Sequence, residues 1–273
     1  MTAAGPAVSI VIVNYRTPDL TRLCLRLIRK HTDPGRARVI VVDNASGDAS
    51  TDYLRSLDWI TLIERTPEPG EPVAINHGRA VDLALAQVDT PFALLIHTDT
   101  FVRHAGWLDL LMAPMADPKV GGVGSWKLDL RPAWQRSFKR AERAVQRVVF
   151  PLIGKGYGHI EGLGENYYYL RSHCALYRMA PLRQLGLGMV DDTSGLPPGK
   201  RLHRQMEEAG WTMVFLPPRQ LMRAVIHADH ATMILNPELG MKAGSRARGL
   251  KRLQRVMDEL GATAILADES LDR

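Results

Sequence analysis

Three short, continuous apolar segments, each followed at once by polar residues, constrain the fold of this chain more than any other feature. They cover residues 8–13, 39–42 and 92–96, and the polar residues after them begin with Asn14, Asp43 and His97. Continuous β-branched runs of this length are typical of strands buried on both faces. Amphipathic helical patterns separate them, one opening at Pro18 and others over residues 48–57 and 73–87. Alternating strands and helices predict an α/β fold, a doubly wound, mostly parallel sheet with helices on both faces.

Composition sets the class of protein. The 273 residues are enough for a full core, and 45% hydrophobic and 23% charged residues are ordinary values for a globular protein. Two cysteines are too few for a disulfide framework or a cysteine-based zinc site. The start lacks the basic segment of a signal peptide, and no apolar run approaches the roughly 20 residues that span a bilayer. We therefore expect a reduced, cytoplasmic, soluble protein, and its net charge of +6 indicates an anionic partner.

The character of the chain changes after Trp126. We expect residues 1–126 and 127–273 to form two halves of one continuous domain. Residues 127–155 carry eight basic and two acidic residues, and residues 133–150 predict a basic amphipathic helix. Two interpretations stay open, a solvated helix or peripheral docking at the inner face of a membrane, which would suit a lipid-linked acceptor. A nucleic-acid partner is not expected, because the segment contains no recognisable binding module.

The polar residues after the three strands form a candidate site. They are Asn14-Tyr15, Asp43-Asn44 and His97-Thr98-Asp99. Since the carboxyl ends of parallel strands meet at one edge of a sheet, these side chains are expected to converge there. A carboxylate such as Asp43 accepts a hydrogen bond from the imino N–H of uracil, thymine or guanine. The alternative is that Asp43 only shapes a turn, because the sequence DNASGD is rich in turn-forming residues.

The combination of motifs is more specific than its parts. Four motifs follow one another: VSIVIVNYRTPDL, VIVVDNASGDAS, NHG before a helix, and an apolar strand ending in HTDT. Together they resemble the family 2 glycosyltransferases of the GT-A fold. The resemblance covers residues 8–126 well and residues 170–232 more loosely, and the second motif is similar to rhamnosyltransferase-like members. It implies an inverting enzyme that moves a sugar from a nucleoside-diphosphate sugar to a glycan or lipid-linked acceptor, in polysaccharide or glycolipid assembly. It names neither the sugar nor an oligomeric state, and uracil or thymine suits Asp43 slightly better than guanine.

The resemblance also implies roles for individual residues. Asn14 and Tyr15 would flank the base, Asp43 would hydrogen-bond it, and Asn76 and Gly78 would lie near the nucleotide sugar. Asp99 matches the last position of the Asp-x-Asp signature, whose carboxylate binds Mg²⁺ or Mn²⁺. His97 replaces the first acid of that signature, so it binds the metal, which then favours Mn²⁺, or contacts the ribose or a phosphate. His227 follows the last strand, where family members often carry a histidine near the metal and diphosphate.

The general base is the weakest part of the resemblance. The helix KRLHRQMEEAG lacks the acid that usually lies just before it, and the nearest carboxylates are Asp191 and Asp192. Asp192 is the preferred base and Asp191 the second candidate; a solvated loop pair is the alternative for both.

Two other functions stay open. A sugar nucleotidyltransferase shares the sheet but needs a glycine-rich loop after the first strand, which NYRTPD does not supply, and a degenerate member would bind a nucleotide or glycan without catalysis.

Overall fold

The computed structural model of the protein describes residues 5–128, 133–154, 160 and 162–273. Nine strands are found in this part of the chain: β1 Val8–Asn14, β2 Ala37–Asp43, β3 Ile60–Glu64, β4 Phe92–His97, β5 Thr100–Val102, β6 Val120–Gly124, β7 Cys174–Arg178, β8 Thr212–Phe215 and β9 Val225–His227. The same part contains eleven α-helices. They are α1 Pro18–His31, α2 Ala49–Arg55, α3 Val73–Ala86, α4 Trp107–Met112, α5 Ala133–Leu152, α6 Met179–Gln184, α7 Lys200–Glu208, α8 Pro218–Ala224, α9 Ala231–Leu235, α10 Ala243–Glu259 and α11 Ala262–Ala267.

Seven strands form one central sheet in the order β3-β2-β1-β4-β7-β6-β8. Strands β1 to β4 are mutually parallel, β7 is antiparallel to both of its neighbours, and β6 pairs with β8 in parallel. The predicted doubly wound, mostly parallel α/β fold is confirmed. Strand β7 comes from the second half of the chain and lies between β4 and β6 of the first half, so both halves contribute to one sheet.

A hydrophobic core lies on each face of this sheet. Along β1, Ile10 and Ile12 belong to one core and Val11 to the other, as the two-residue period of a strand requires. Trp107 and Leu23 fill the first core, and helix α3 covers the second. Both cysteines are buried thiols. Burial on both faces is why the central strands read as continuous apolar runs.

The predicted helices and strands of the first half lie within a few residues of those observed. The second half differs more, since β9 and the short helices α8, α9 and α11 were not predicted. The amphipathic pattern of residues 247–261 predicts a helix, and the observed helix α10 begins four residues earlier, at Ala243. The stretch GKGYGHIEGLGENYYYL is too rich in glycine for a regular element and predicts a loop, of which residues 155–159 and 161 lie outside the described residues. Within the described part of the chain, no helix has the length and apolar character needed to cross a membrane.

Candidate active site

The register of the central strands brings the predicted polar residues together at one edge of the sheet. Asn14 at the end of β1 lies opposite Asp43 at the end of β2, and His97 at the end of β4 lies opposite Val13. Tyr15 is half-buried and directly follows Asn14. The convergence expected from the sequence is therefore observed for all three strands.

Asp43 and Asn14 form a buried hydrogen-bonded unit. The Asn14 amide donates to Asp43 Oδ1 over 2.7 Å and also contacts the hydroxyls of Ser46 (3.0 Å) and Ser50 (2.8 Å). Thr51 Oγ1 donates to the second oxygen, Asp43 Oδ2, over 2.9 Å. The DNASGD segment thus forms a turn, as one interpretation predicted, and the same turn supplies the donors that orient Asp43.

A pocket of about 250 Å³ opens beside this unit. Its lining consists of residues from β2, the following turn, α2 and the end of β3, namely Asp43, Ala45, Gly47, Thr51, Arg55, Glu64, Arg65 and Thr66. The pocket places two carboxylates, of Asp43 and Glu64, and two guanidinium groups around a space beyond the strand ends. In doubly wound sheets this is the usual position of a bound nucleotide.

A second cluster, of His97, Asp99 and His227, lies at the end of β4. One potential metal-ligand atom from each residue lies within 4.8 Å of the others. Asp99 Oδ1 is 3.2 Å from His227 Nε2 and 3.8 Å from His97 Nδ1. This oxygen is buried, and no hydrogen bond to it is found among the described residues. A buried carboxylate oxygen that faces two imidazole nitrogens fits the ligand set of a divalent cation such as Mn²⁺.

The two-stranded sheet explains why these residues meet. Strands β5 and β9 are antiparallel, with Thr100 opposite His227. The backbone N–H of Ala228 donates to the carbonyl of Asp99 over 2.8 Å, and the N–H of Ala231 donates to Asp99 Oδ2 over 2.9 Å. His227 is therefore held next to Asp99 by backbone pairing, although 128 positions separate them in the sequence.

The electrostatics of this cluster follow from burial and from Asp99. Burial opposes the charge on Asp99, but His227, His97 and the Ala231 amide outweigh it and hold the pKa of the carboxyl well below its usual range. Burial would lower the pKa of His227, and the Asp99 carboxylate outweighs it and raises that pKa. Burial and the neighbouring imidazole of His77 hold the pKa of His97 well below its usual range. A neutral imidazole keeps the lone pair that a metal requires.

Two further histidines, which the sequence did not single out, complete a buried group around Asp99. The ring of His173 stacks on that of His227, with centroids 4.7 Å apart, and the ring of His77 meets that of His97 edge-on at 4.9 Å. Burial lowers the pKa of His77 to about 4. Ser125 contacts His173 at 3.1 Å, which fixes the orientation of that ring. The only sequence signal for these residues was their position, His77 within NHG and His173 just before β7.

The two candidate bases lie on a loop that packs against α3. Asp192 is 71% exposed at its side chain, and its Oδ1 pairs with Arg79 at 3.1 Å. Asp191 is 24% exposed, forms an ion pair with Arg201 and accepts a hydrogen bond from the Thr193 backbone at 2.9 Å. Hydrogen bonds from Thr193, with the charge of Arg201, lower the pKa of Asp191. Of the two, Asp192 is therefore more exposed to solvent and makes fewer polar contacts with neighbouring residues.

A chain of polar contacts joins the Asp192 loop to the end of β2. Arg79 pairs with Glu71 at 2.9 Å, and Glu71 pairs with Arg65 at 2.8 Å. Arg65 then donates to Asn44 Oδ1 (2.8 Å) and to Asn76 Oδ1 (2.7 Å). The Glu71 side chain is buried, so this series of polar contacts passes through the interior of the protein. Asn76 was predicted near the nucleotide sugar, and its side chain lies within this network.

Gly78 lets the same loop approach α3. A Cβ at this position would lie 2.6 Å from Val190 Cγ2 and 2.9 Å from Pro198 Cβ. Asp82, one turn further along α3, accepts hydrogen bonds from the backbone N–H groups of Met189 (2.5 Å) and Val190 (3.0 Å). Gly78 therefore contacts the loop that carries the candidate bases.

The sheet order and the polar strand ends define a GT-A type α/β fold, the fold of nucleotide-sugar-dependent glycosyltransferases. The model of glycosyl transferase family 2 matches residues 9–186, and the chain belongs to this family. The match includes Asn14, Asp43, His97 and Asp99, and it ends before His227. A search of curated protein sequences finds no match.

A solved mannosyltransferase structure supports the same fold, and two further structures are similar at lower TM-scores. A mannosyltransferase from Pyrobaculum calidifontis, solved with GDP-Man and Mn²⁺, is 18% identical with a TM-score of 0.54, over 98% of this chain and 80% of that one. TarS 1–349 of S. aureus is 14% identical with a TM-score of 0.49, over 94% of this chain and 73% of that one. Glucosyl-3-phosphoglycerate synthase from Mycobacterium tuberculosis, solved with phosphoglyceric acid, is 15% identical with a TM-score of 0.48, over 94% and 81%.

Proposed function

We propose that this family 2 glycosyltransferase moves a sugar, with inversion, from a nucleoside-diphosphate sugar to a hydroxyl of a glycan or lipid-linked acceptor. The observation that carries the proposal is the buried Asp99 carboxylate, which faces the imidazoles of His97 and His227 at the same edge of the sheet as Asp43. A metal site next to a base-binding pocket is what a nucleoside diphosphate requires. The nucleotide would extend from Asp43 toward Asp99 along the edge of the sheet.

The metal site favours Mn²⁺ over Mg²⁺. Mg²⁺ prefers oxygen ligands and keeps several waters, whereas imidazole nitrogen is a good ligand for softer divalent ions. With His97, Asp99 and His227 as ligands, the bound ion would stabilise the charge on the leaving diphosphate. The Mn²⁺ in the Pyrobaculum calidifontis structure supports including this ion in the test, and the dependence of activity on metal is part of the proposal.

In the proposed reaction the residues of this chain bind, orient and remove a proton. Asp43, fixed by Asn14 and Thr51, accepts from the imino N–H of the base, and uracil or thymine is preferred. Asp192 takes the proton of the acceptor hydroxyl as that oxygen bonds to C1 of the sugar. The C1–O bond to the diphosphate breaks, and its electron pair leaves with the nucleoside diphosphate. Attack opposite the leaving group gives inversion.

A thermal-shift screen of UDP, dTDP and GDP, each with and without Mn²⁺, tests the donor part of this proposal. A ligand that binds the folded state raises its stability by mass action. We expect UDP or dTDP to raise the melting temperature in the presence of Mn²⁺ and much less without it. No shift with any of the three nucleotides would contradict the proposal.

Donor turnover separates an enzyme from a degenerate binding protein. Incubation with the nucleoside-diphosphate sugars of the base found in the screen should release nucleoside diphosphate in a Mn²⁺-dependent way, slowly with water and faster with an acceptor. Nucleotide binding without release of nucleoside diphosphate under any of these conditions would instead identify a protein that binds the donor without catalysis.

A further inference from the structure

Helix α5 presents its apolar residues to solvent. The exposed side chains are Trp134, Phe138, Val145, Val148, Val149 and Leu152. They recur at spacings of three, four and seven residues and so form one stripe along the helix. Trp134 is 69% exposed and Leu152 is 80% exposed. A surface helix of a globular protein normally turns such a stripe toward the core, and α5 does the reverse.

The polar side of α5 faces the rest of the protein. Arg143 and Gln146, on the side opposite the stripe, are half-buried. The Arg143 guanidinium donates to the hydroxyl of Tyr168 over 3.1 Å. This contact lies on the side of α5 opposite the stripe, so the stripe is directed outward. The exposed stripe therefore follows from how the helix is attached.

The charge of this segment indicates what covers the stripe. Residues 127–155 hold eight basic and two acidic residues, a net charge of +6, which equals the net charge of the whole chain. The rest of the molecule is therefore neutral overall. A second copy of the chain would bring two such segments together and be repelled. An anionic lipid surface supplies both an opposite charge and an apolar layer, and basic residues near such a surface attract it strongly.

We propose that α5 lies in the interface of an anionic membrane, with its apolar stripe inserted and the positive charge of the segment attracting the lipid head groups. Helices of this kind lie in the plane of the interface and bury one face a few ångströms below the head groups. Binding does not depend on the proposed reaction. If the acceptor is lipid-linked, this docking also brings the enzyme to its substrate.

Co-sedimentation of the full chain with vesicles tests the proposal. One set contains phosphatidylcholine with about 30% phosphatidylglycerol, and the other contains phosphatidylcholine alone. We expect binding to the anionic vesicles to be at least about tenfold tighter. The tryptophan emission should shift to shorter wavelength on binding, and Trp134→Phe should remove most of that shift. Equal binding to both sets, or no binding to either, would overturn the proposal.

Matched variants separate α5 from the rest of the surface. Trp134→Ser combined with Phe138→Ser should weaken binding to anionic vesicles about tenfold or more, because both side chains leave the apolar layer. Leu185→Ser combined with Leu250→Ser removes two exposed apolar side chains elsewhere and should leave binding unchanged. Equal effects of the two double variants would contradict the assignment to α5.

A charge-reversal pair and a measurement of mass complete the test. Arg147→Glu on α5 should weaken binding to anionic vesicles several-fold, and Arg255→Glu on α10, with the same change in net charge, should weaken it less. Light scattering after size exclusion reports self-association. Self-association that the Trp134→Ser, Phe138→Ser double variant abolishes, in a protein that does not bind vesicles, would identify a second copy as the occupant and overturn the membrane proposal.

Discussion

At the residue scale, Asn14 and Thr51 orient Asp43, because each donates a hydrogen bond to one of its oxygens. Asp43→Asn keeps the size of the side chain and replaces one acceptor oxygen by a donor. We expect nucleoside-diphosphate affinity to fall by about 1–3 kcal/mol, the scale of a lost hydrogen bond to a charged group. Isothermal titration with the nucleotide found in the screen measures this change.

The exposed carboxylate of Asp58 provides the control for that experiment. Asp58→Asn removes the same charge near the amino-terminal end of β3, at the opposite edge of the sheet from Asp43, and should leave the affinity unchanged. If Asp43→Asn binds the nucleotide as tightly as the wild type does, Asp43 is a turn residue only and the base-binding role is wrong.

Asp191 and Asp192, on the loop that packs against α3, can be compared directly as candidate general bases. Asp192→Asn should lower turnover by about 10² to 10⁴, the usual cost of losing a general base, with little change in donor affinity. Asp191→Asn should cost much less, because Thr193 and Arg201 lower the pKa of Asp191 and make it the weaker base. Steady-state rates at saturating donor test this. Near-normal turnover of Asp192→Asn would remove it as the base.

The sequence predicted the strand-end residues for a physical reason. Asn14, Asp43 and His97 follow apolar strands directly, and parallel strands bring their carboxyl ends together whatever their distance in the sequence. Glu71 and Arg79 were not predicted, because their ion pairs join residues that no local pattern relates. The histidines His77 and His173 were missed for the same reason.

At the scale of elements, helix α3 and the loop over residues 187–199 pack closely against each other. Gly78→Ala places a methyl group 2.6 Å from Val190 Cγ2, so the loop that carries Asp192 must move. We expect stability to fall by about 1–3 kcal/mol, as in other overpacked interiors, and turnover to fall with it. Urea unfolding and steady-state rates measure the two effects.

Gly244 in α10 is the matched control for that substitution. A Cβ there would meet only Arg248 Nη1, at 3.9 Å, among the described residues within 4 Å. Gly244→Ala should leave turnover unchanged and raise stability by up to about 1 kcal/mol, because alanine is the better helix former. A Gly78→Ala protein that is as stable and as active as Gly244→Ala would show that the loop does not need this close approach.

Elements differ in how far the sequence predicts them. Helices α1 and α3 have 14 residues each, and their predicted positions were confirmed to within a residue or two where bounds were given. Strands β5 and β9 have three residues each, too few for a periodic pattern, and their structure depends on pairing with each other. The position of His227 beside Asp99 follows from that pairing, which only the folded chain defines.

At the scale of the whole molecule, the order of the strands in the sheet could not be predicted from the sequence. Strand β7 lies between β4 and β6 and runs antiparallel to both, so the second half of the chain completes the sheet begun by the first. A local pattern shows that a segment is a buried strand but not which strands flank it. This arrangement places Ser172 and His173, just before β7, beside the cluster at the end of β4.

The central claim is that His97, Asp99 and His227 hold the cation that binds the donor diphosphate, and Mn²⁺ binding followed by electron paramagnetic resonance tests it most directly. We predict that the wild type binds a single Mn²⁺ per chain, more tightly with the nucleoside diphosphate present. Asp99→Asn should weaken this binding at least about tenfold, because the buried carboxylate is the charged ligand. Asp58→Asn should bind as the wild type does. Undiminished Mn²⁺ binding by Asp99→Asn, in a folded protein, would contradict the account.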